Sequence, residues 1–294
     1  MVTRHLVPLV SVSFALWAGA HPPDKTALNT VRLGTFSHRT DSHETAAILS
    51  WNIDRGKNLS GIEAAIEQNK PEICIFQEVD LDARRTGEKD VAQELAQRFG
   101  MNYAFAPEFQ ELSQSTAGGA AYHGQAILTT LPIRSSRILR FEHQTGFWKP
   151  HPFLISGLPM LQRREGGRIA QVAELDNGGR TLVIYNLHLE SKWYEHLRVM
   201  QLEEVLADAQ RYPAETPLII AGDFNTFTPH SAVIGRLESA GYHSSFGDRR
   251  IRTHALIGAL DWVFVKGPIT AQDAQVLRTV HASDHFPISL KVKL

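Results

Sequence analysis

Cysteine is nearly absent from this 294-residue chain, and opposite charges almost cancel. The single Cys74 excludes an intramolecular disulfide. Because it lies in the apolar run Ile73–Phe76, we expect it to be a small buried side chain rather than a nucleophile. Lys and Arg number 30 against 31 Asp and Glu, so no global field draws the chain to nucleic acid or to an anionic membrane. A phosphate-bearing ligand would therefore need a local site.

Long apolar runs are scarce as well. The run Leu6–Trp17 is shorter than the ~20 residues that span a bilayer. It follows Arg4 and His5 and precedes the small residues 18–20, a pattern typical of a secretory signal peptide that is cleaved after residue 20. We expect residues 1–20 to be a signal peptide and the protein to be exported, to the periplasm or out of the cell. The alternative is a disordered or anchoring N-terminus, and no stable membrane span is expected once the leader is removed.

The remaining chain is predicted to hold one domain. Residues 21–45 are polar and aperiodic and are predicted to be a linker, and residues 46–294 are predicted to be the domain. The apolar fraction of 43% is enough for a sizeable core, and 21% charged residues argue against disorder. No internal repeat or low-complexity segment is present.

The domain begins with a strand–helix–strand pattern. Ala46–Trp51 is predicted to be a strand, and a helix follows that starts with a capping box at Ser60 and Glu63. The next strand is Ile73–Phe76. Three further helices are predicted over 90–99, 194–211 and 231–240. Further strands are predicted over 103–106, 125–128, 138–141, 168–175, 181–187, 218–221, 260–265 and 288–292.

The stretch Pro217–Thr226 combines a predicted buried strand with polar residues that could bind a ligand. Its four apolar residues from Leu218 on are predicted to form a buried strand, which ends abruptly at Asp223 and Asn225. These two side chains point to the same side of an extended chain, and a carboxylate and an amide are costly to bury unpaired. A hard cation or a phosphate would satisfy them. A simple Asx turn that closes the strand is the alternative.

Other strand ends carry similar polar residues. They are Asn52, Glu78, Asn186, His188, Asp261, Asp284 and His285. Each taken alone could be a turn, a cap or a solvated residue, but α/β folds place ligand sites at strand ends. An oxygen-rich set suits Mg²⁺, or Mn²⁺, rather than zinc, and histidines beside acids supply proton transfer. The set predicts hydrolysis of a phosphoester by an activated water.

Six motifs, in this order, resemble the endonuclease/exonuclease/phosphatase superfamily with the DNase I-like fold. They are S-W-N-I-D, F-Q-E-V-D, Y-N-L-H-L-E-S, A-G-D-F-N-T, L-D-W-V-F-V and S-D-H-F-P, and the resemblance covers about residues 45–294. The whole is also similar to secreted bacterial members of unassigned activity. The resemblance implies an α/β fold, a four-layer α/β/β/α sandwich in which two mostly antiparallel or mixed sheets pack face to face with helices outside.

The resemblance also implies residue roles. The metal ligands it implies are Glu78, Asn52 and Asp284, with Glu78 the principal one. The catalytic residues it implies are His188, Asp223, Asn225, Asp261 and His285. Asp223 would orient or deprotonate the attacking water, with Asn225 beside it on the phosphate or metal. His285, its tautomer fixed by Asp261, would contact the scissile phosphate, and His188 would stabilise the pentacovalent phosphorus or the leaving oxygen.

Substrate choice lies outside the motifs. A nuclease-type phosphodiester, with nucleic acid as a partner, is the favoured interpretation; a lipid phosphodiesterase of the sphingomyelinase kind and a phosphomonoesterase are the alternatives. Arg84 and Arg85 are expected to reach a second phosphate unless they form a solvated basic loop, and Trp148 is expected to stack on a base unless it is a packing or surface residue. An apolar loop at 153–161 would favour a lipid. A non-catalytic binding domain is disfavoured because all six motifs are intact, and no protein partner is implied.

Overall fold

The computed structural model describes residues 24–145, 164–192, 194–227 and 230–294. Within these ranges the helices are α1 (Leu59–Asn69), α2 (Val91–Phe99), α3 (Glu195–Ala209) and α4 (Ala232–Ser239). The strands are β1 (Arg32–Gly34), β2 (Thr45–Arg55), β3 (Ile73–Ala83), β4 (Lys89–Asp90), β5 (Asn102–Gln110), β6 (Tyr122–Thr129), β7 (Ile133–Arg140), β8 (Glu165–Gly166), β9 (Ile169–Asn177), β10 (Arg180–His188), β11 (Leu218–Asp223), β12 (His243–Ser244), β13 (Asp261–Lys266), β14 (Thr270–Val276) and β15 (Ile288–Lys293). Two 3₁₀ helices cover Ala27–Asn29 and Arg84–Thr86.

The strands form two mixed sheets. The first has the order β1-β5-β6-β3-β2-β15-β14, with β4 paired to β3 and β8 paired to β5. The second has the order β12-β13-β11-β10-β9-β7. Each sheet contains one parallel pair, β2 with β3 and β10 with β11, among otherwise antiparallel neighbours. The parallel pair in the first sheet confirms the predicted strand–helix–strand unit.

Alternating side chains on the central strands build four layers. Ile48 of β2 and Ile219 of β11 lie in the core between the two sheets. Trp51 of β2 faces the other way, into a core shared with α1 and α2. Ile220 of β11 packs into the core that includes α3 and α4. The four-layer α/β/β/α sandwich with helices outside is confirmed, and the apolar run of β11 is explained by burial on both faces.

Several local features differ from the expectations. Residues 32–34, predicted to belong to a linker, form an edge strand that pairs with β5, so this segment is part of the first sheet. The N-cap of α1 is Asn58, whose side chain accepts from the N–H of Gly61, rather than the predicted Ser60. The polar edge strand β14 was not predicted, because its sequence lacks an apolar alternation.

Candidate active site

A cleft of about 320 Å³ opens where the strands carrying the motifs end. Its lining includes residues of both sheets and of the loops that follow them: Asn52, Glu78, Arg168, His188, Ser191, Asp223, Asn225, Phe227, His254, Ile257, Leu260 and His285. Six of the eight predicted catalytic and metal-binding residues are in this lining. Asp261 lies directly behind His285, and Asp284 lies beside His254.

Strand register brings the second sheet's residues together. His188 on β10 pairs with Asp223 on β11, and Asp223 in turn pairs with Asp261 on β13. The close approach of β10 and β11 requires Gly222, since a Cβ there would lie 2.1 Å from the carbonyl oxygen of Leu187. The motif glycine thus holds Asp223 beside His188.

Asp223 is the centre of the cleft. Its Oδ2 accepts from Nδ2 of Asn52 at 3.2 Å, across the two sheets. The same oxygen lies 3.7 Å from Nε2 of His188 and 3.8 Å from Nε2 of His285. Its Oδ1 accepts from the backbone N–H of Asn225 at 2.9 Å. One buried carboxylate therefore faces two imidazoles, the arrangement needed to orient a water and move a proton.

Each imidazole is backed by a carboxylate. Nδ1 of His285 lies 2.8 Å from Oδ2 of Asp261, and Nδ1 of His188 lies 3.5 Å from Oε2 of Glu108. Burial disfavours the charged form of His285, but the carboxylates of Asp261 and Asp223 outweigh it and raise the pKa of His285 to about 10. The two carboxylates therefore favour the protonated form of His285, which is suited to a phosphate oxygen.

Glu78 reaches the cleft through a break in strand register. The pairing of β3 with β6 shifts between Phe76 and Val79, and Glu78 has a φ of +51°, in the left-handed region. Its Oε2 lies 3.2 Å from Nη1 of Arg55. Burial opposes its ionisation, but the positive charges of His123 and Arg55 outweigh burial and hold the pKa of Glu78 well below its usual range.

The donors here fit a hard divalent cation. Glu78 is an ionised carboxylate, and Asn52 in the same cleft lining carries an amide oxygen. Oxygen-only ligands of this kind suit Mg²⁺ or Mn²⁺. Glu78 and Asn52 are the predicted ligands in the cleft lining that would hold such a metal, and Asp284, the third ligand that the resemblance implies, lies beside His254.

Asn225 is held in a left-handed backbone conformation by two hydrogen bonds, one from its backbone N–H to Asp223 and one from its side chain. Its φ is +50°, which Asn tolerates better than most residues. Its Nδ2 donates to the carbonyl oxygen of Leu189 at 3.0 Å. The side chain is thereby held at the cleft wall.

Two of the three residues predicted to bind substrate, Arg84 and Arg85, are not in the cleft lining. The guanidinium of Arg85 forms two hydrogen bonds with Asp80, at 2.6 and 2.7 Å, and lies 3.3 Å from Glu111. Arg84 donates to the carbonyl oxygen of Ser113. Structural pairing accounts for Arg85, because its charge is already matched by two buried acids. Trp148 and the apolar loop 153–161 lie outside the described residues.

The sequence reasoning missed Arg168 and His254, which are charged or titratable residues of the cleft lining, and Glu108, which lies 3.5 Å from His188. Glu108 is a charged residue inside the buried strand β5, which was a usable signal. Arg168 is buried, donates to Glu108 at 2.9 Å and to Oγ of Ser191 at 3.2 Å, and adds a cation to the cleft. His254 lies in a loop without any pattern. Only the folded chain places it against His285.

Comparisons with known proteins identify the family of this chain. A family model described as Endonuclease/Exonuclease/phosphatase family matches residues 49–285, and the chain belongs to this family of phosphoester hydrolases. No match was found among curated proteins. No helix in the described part of the chain is long and apolar enough to cross a membrane.

Solved structures share the fold at low sequence identity. An endonuclease/exonuclease/phosphatase from Beutenbergia cavernae DSM 12333 is 17% identical, with a TM-score of 0.64 over 86% of this chain and 72% of that one. The human Nocturnin catalytic domain with bound sulfate is 20% identical, with a TM-score of 0.65 over 89% and 97%. D. rerio TDP2 complexed with a single-strand DNA product is 18% identical, with a TM-score of 0.56 over 86% and 100%.

Proposed function

We propose that this chain is a divalent-metal-dependent phosphodiesterase of the nuclease type that hydrolyses its substrate by in-line attack of an activated water. The observation that carries the proposal is the position of Asp223. Its Oδ2 is held by Asn52 and faces Nε2 of both His188 and His285 within 3.8 Å. A water beside this oxygen would be oriented by a carboxylate and lie next to two imidazoles that can meet the phosphate.

We assign a different step of the proposed reaction to each of the cleft residues. Asp223 accepts the proton of the water, and the cation His285 neutralises charge on a phosphate oxygen as it develops. His188 has its Nδ1 3.5 Å from Oε2 of Glu108 and its Nε2 3.7 Å from Oδ2 of Asp223, and we assign it to the leaving oxygen. Mg²⁺ or Mn²⁺ held by Glu78, Asn52 and Asp284 would supply Lewis-acid polarisation of the phosphate. Arg168 adds a further positive charge.

A nucleic-acid substrate is supported by the fold neighbours. One of them, D. rerio TDP2, is described with a single-strand DNA product. The near-neutral charge of this chain argues against a broad basic duplex-binding face, so a short or single-stranded substrate fits better.

Hydrolysis of bis-p-nitrophenyl phosphate, single-stranded DNA and plasmid DNA tests the proposal, with Mg²⁺, Mn²⁺ or EDTA. Asp223→Asn and His285→Ala should each lower kcat about 10³-fold. The matched controls are Asp273→Asn, whose side chain is 69% exposed, and His243→Ala on the exposed face of β12, and both should match wild type. Equal turnover in the Asp223 variant, or no metal-dependent turnover of any phosphoester by the wild type, contradicts the proposal.

A lipid phosphodiesterase is the second candidate, favoured by an apolar rim. Leu256 is 89% exposed and Ile257 41% exposed, on the loop that carries His254, and Phe227 lines the same cleft. The double variant Leu256→Ser/Ile257→Ser should slow hydrolysis of sphingomyelin vesicles and leave bis-p-nitrophenyl phosphate turnover unchanged. Leu33→Ser, on β1 and outside the cleft lining, is the matched control. If wild-type protein does not hydrolyse vesicles, this candidate is excluded.

We also propose that residues 1–20 direct export. The support is the sequence pattern alone, a basic start, a short apolar run and small residues before position 21. Mass spectrometry of the protein expressed in a bacterium should find a mature N-terminus at His21 in the periplasm or medium. Full-length protein confined to the cytoplasm contradicts export.

A further inference from the structure

A third imidazole faces the cleft, outside the six motifs. His254 is in the lining, on the loop between β12 and β13. Its ring packs edge-on against the ring of His285, with centroids 4.8 Å apart and an interplanar angle of 88°. The proposed steps at Asp223, His188 and His285 do not use this imidazole.

The local backbone fixes the tautomer of His254. Its Nδ1 accepts hydrogen bonds from the backbone N–H groups of Leu256 and Ile257, each at 3.0 Å. A ring nitrogen that accepts from two N–H groups offers them its lone pair, so the ring proton is on Nε2. His254 therefore presents an N–H donor, and the backbone turn rather than a carboxylate sets this orientation.

The loop that carries His254 is firmly held. Nε of Arg252 donates to the carbonyl oxygen of His254 at 3.1 Å. The N–H of Ala255 donates to the carbonyl oxygen of Asp284 at 2.8 Å, and His254 forms a β-bridge with His285. The donor is thus fixed relative to the catalytic histidine before substrate arrives, which is the condition for electrostatic stabilisation without reorganisation.

A metal site is the competing interpretation. His254, Asp284 and His285 each bring one possible ligand atom within 4.8 Å of the others. Nε2 of His254 lies 3.6 Å from Oδ2 of Asp284. A protonated nitrogen has no lone pair for a metal, however, and Nδ1 is already occupied by two N–H groups. The geometry favours a donor over a ligand.

We propose that His254 is a further catalytic residue, whose Nε2–H donates to a non-bridging oxygen of the substrate phosphoryl group. This assignment rests on the proposed phosphodiesterase function of the same cleft. His254 and His285 then form a pair of adjacent imidazole donors that contact one phosphate, while Asp223 handles the water.

Two substitutions of His254 separate its two functions, the Nε2–H donor and the Nδ1 acceptor that supports the loop. In His254→Asn the side-chain oxygen lies near the position of Nδ1 and keeps the acceptor, but the Nε2 donor is lost. In His254→Gln the amide nitrogen reaches the position of Nε2, but the acceptor is lost. We expect the Asn variant to keep the wild-type Tm and lose about 10²-fold in kcat on bis-p-nitrophenyl phosphate. The Gln variant should lower Tm and retain kcat within about tenfold. His243→Asn is the control and should change neither.

A measurement on wild-type protein decides the question even if a variant fails to fold. Nitrogen-15 NMR of the imidazoles at pH 7 should show His254 with Nδ1 unprotonated and Nε2 carrying hydrogen, and titration with inorganic phosphate should shift the Nε2 resonance. A proton on Nδ1, ligation of Nε2 by added Mg²⁺, no response to phosphate, or an Asn variant with kcat within twofold of wild type each overturns the proposal. A wild type without phosphoester hydrolysis contradicts the parent function separately, since the phosphate titration needs no turnover.

Discussion

Oε2 of Glu108 lies 3.5 Å from Nδ1 of His188, and the two residues belong to different sheets. Glu108 is on β5 of the first sheet, and His188 is the last residue of β10 in the second. The other oxygen of Glu108 accepts from Arg168 at 2.9 Å. One buried carboxylate therefore faces the imidazole of His188 and neutralises the buried cation of Arg168.

Replacing Glu108 should impair catalysis through His188. Glu108→Gln keeps the shape but removes the charge that holds the imidazole, and we expect kcat on bis-p-nitrophenyl phosphate to fall about 10²-fold with KM little changed. Glu215→Gln, an exposed residue before β11, is the control. Wild-type kcat in a folded Glu108→Gln protein would show that His188 needs no such partner.

The carboxylate of Glu108 should also make the free energy of unfolding depend on pH. Burial raises its pKa, but Arg168 and His188 outweigh burial and lower the pKa of Glu108 from 4.5 to about 2. A depressed folded-state pKa stabilises above the unfolded pKa, so this contribution, on the order of 3 kcal/mol, is full above about pH 4.5 and lost as pH falls towards 2. Urea unfolding of wild type and Glu108→Gln from pH 7 to 3 should show a difference that shrinks below pH 4.5. A difference that is constant with pH contradicts the assignment.

Thr253 should support Asp261 through the backbone. Its buried Oγ1 accepts from the N–H groups of Leu260 and Asp261, both at 3.0 Å. Thr253→Val keeps the shape but leaves two buried donors unpaired, so the free energy of unfolding should fall by about 2 kcal/mol. Thr270→Val, at the exposed start of β14, should be neutral in the same denaturation measurement. An equally small effect at both positions argues against this support.

Metal binding should depend on Glu78. The proposed function assigns Mg²⁺ binding in the folded protein to this carboxylate, so added Mg²⁺ should raise the wild-type Tm, and EDTA should reverse the shift. In Glu78→Gln the charge is lost, and at least a tenfold higher Mg²⁺ concentration should be needed for the same shift. Glu94→Gln on α2, whose side chain is 40% exposed, should respond like wild type. A Glu78 variant that titrates like wild type would remove Glu78 from the metal site.

Central features of the fold were predictable because their signals are local. The run 218–221 is apolar on both faces because β11 lies between two cores, and Asp223 stands where that burial ends. The six motifs likewise sit at strand ends, where polarity begins. Edge strands gave no such signal, since β1 is three residues long and β14 is mostly polar.

The supporting residues of the site could not be read from the sequence, because tertiary contacts define them. Glu108 acquires its role only when β5 meets β10 from the other sheet. The donor orientation of His254 comes from two backbone N–H groups in its own turn. Arg85 looked available for substrate, but Asp80 and Glu111 engage it in the folded chain.

The hydrogen bond between Asn52 and Asp223 joins residues 171 positions apart, and the indole N–H of Trp51 donates to the carbonyl oxygen of His285 across 234 positions. Contacts with such separations form late, since long loops must close before them. The cleft is therefore completed only when the two sheets dock. In a refolding experiment, recovery of activity should lag behind recovery of secondary structure, and neither half of the chain should be active alone. The rate at which catalytic activity recovers would then report the rate of the last step of folding.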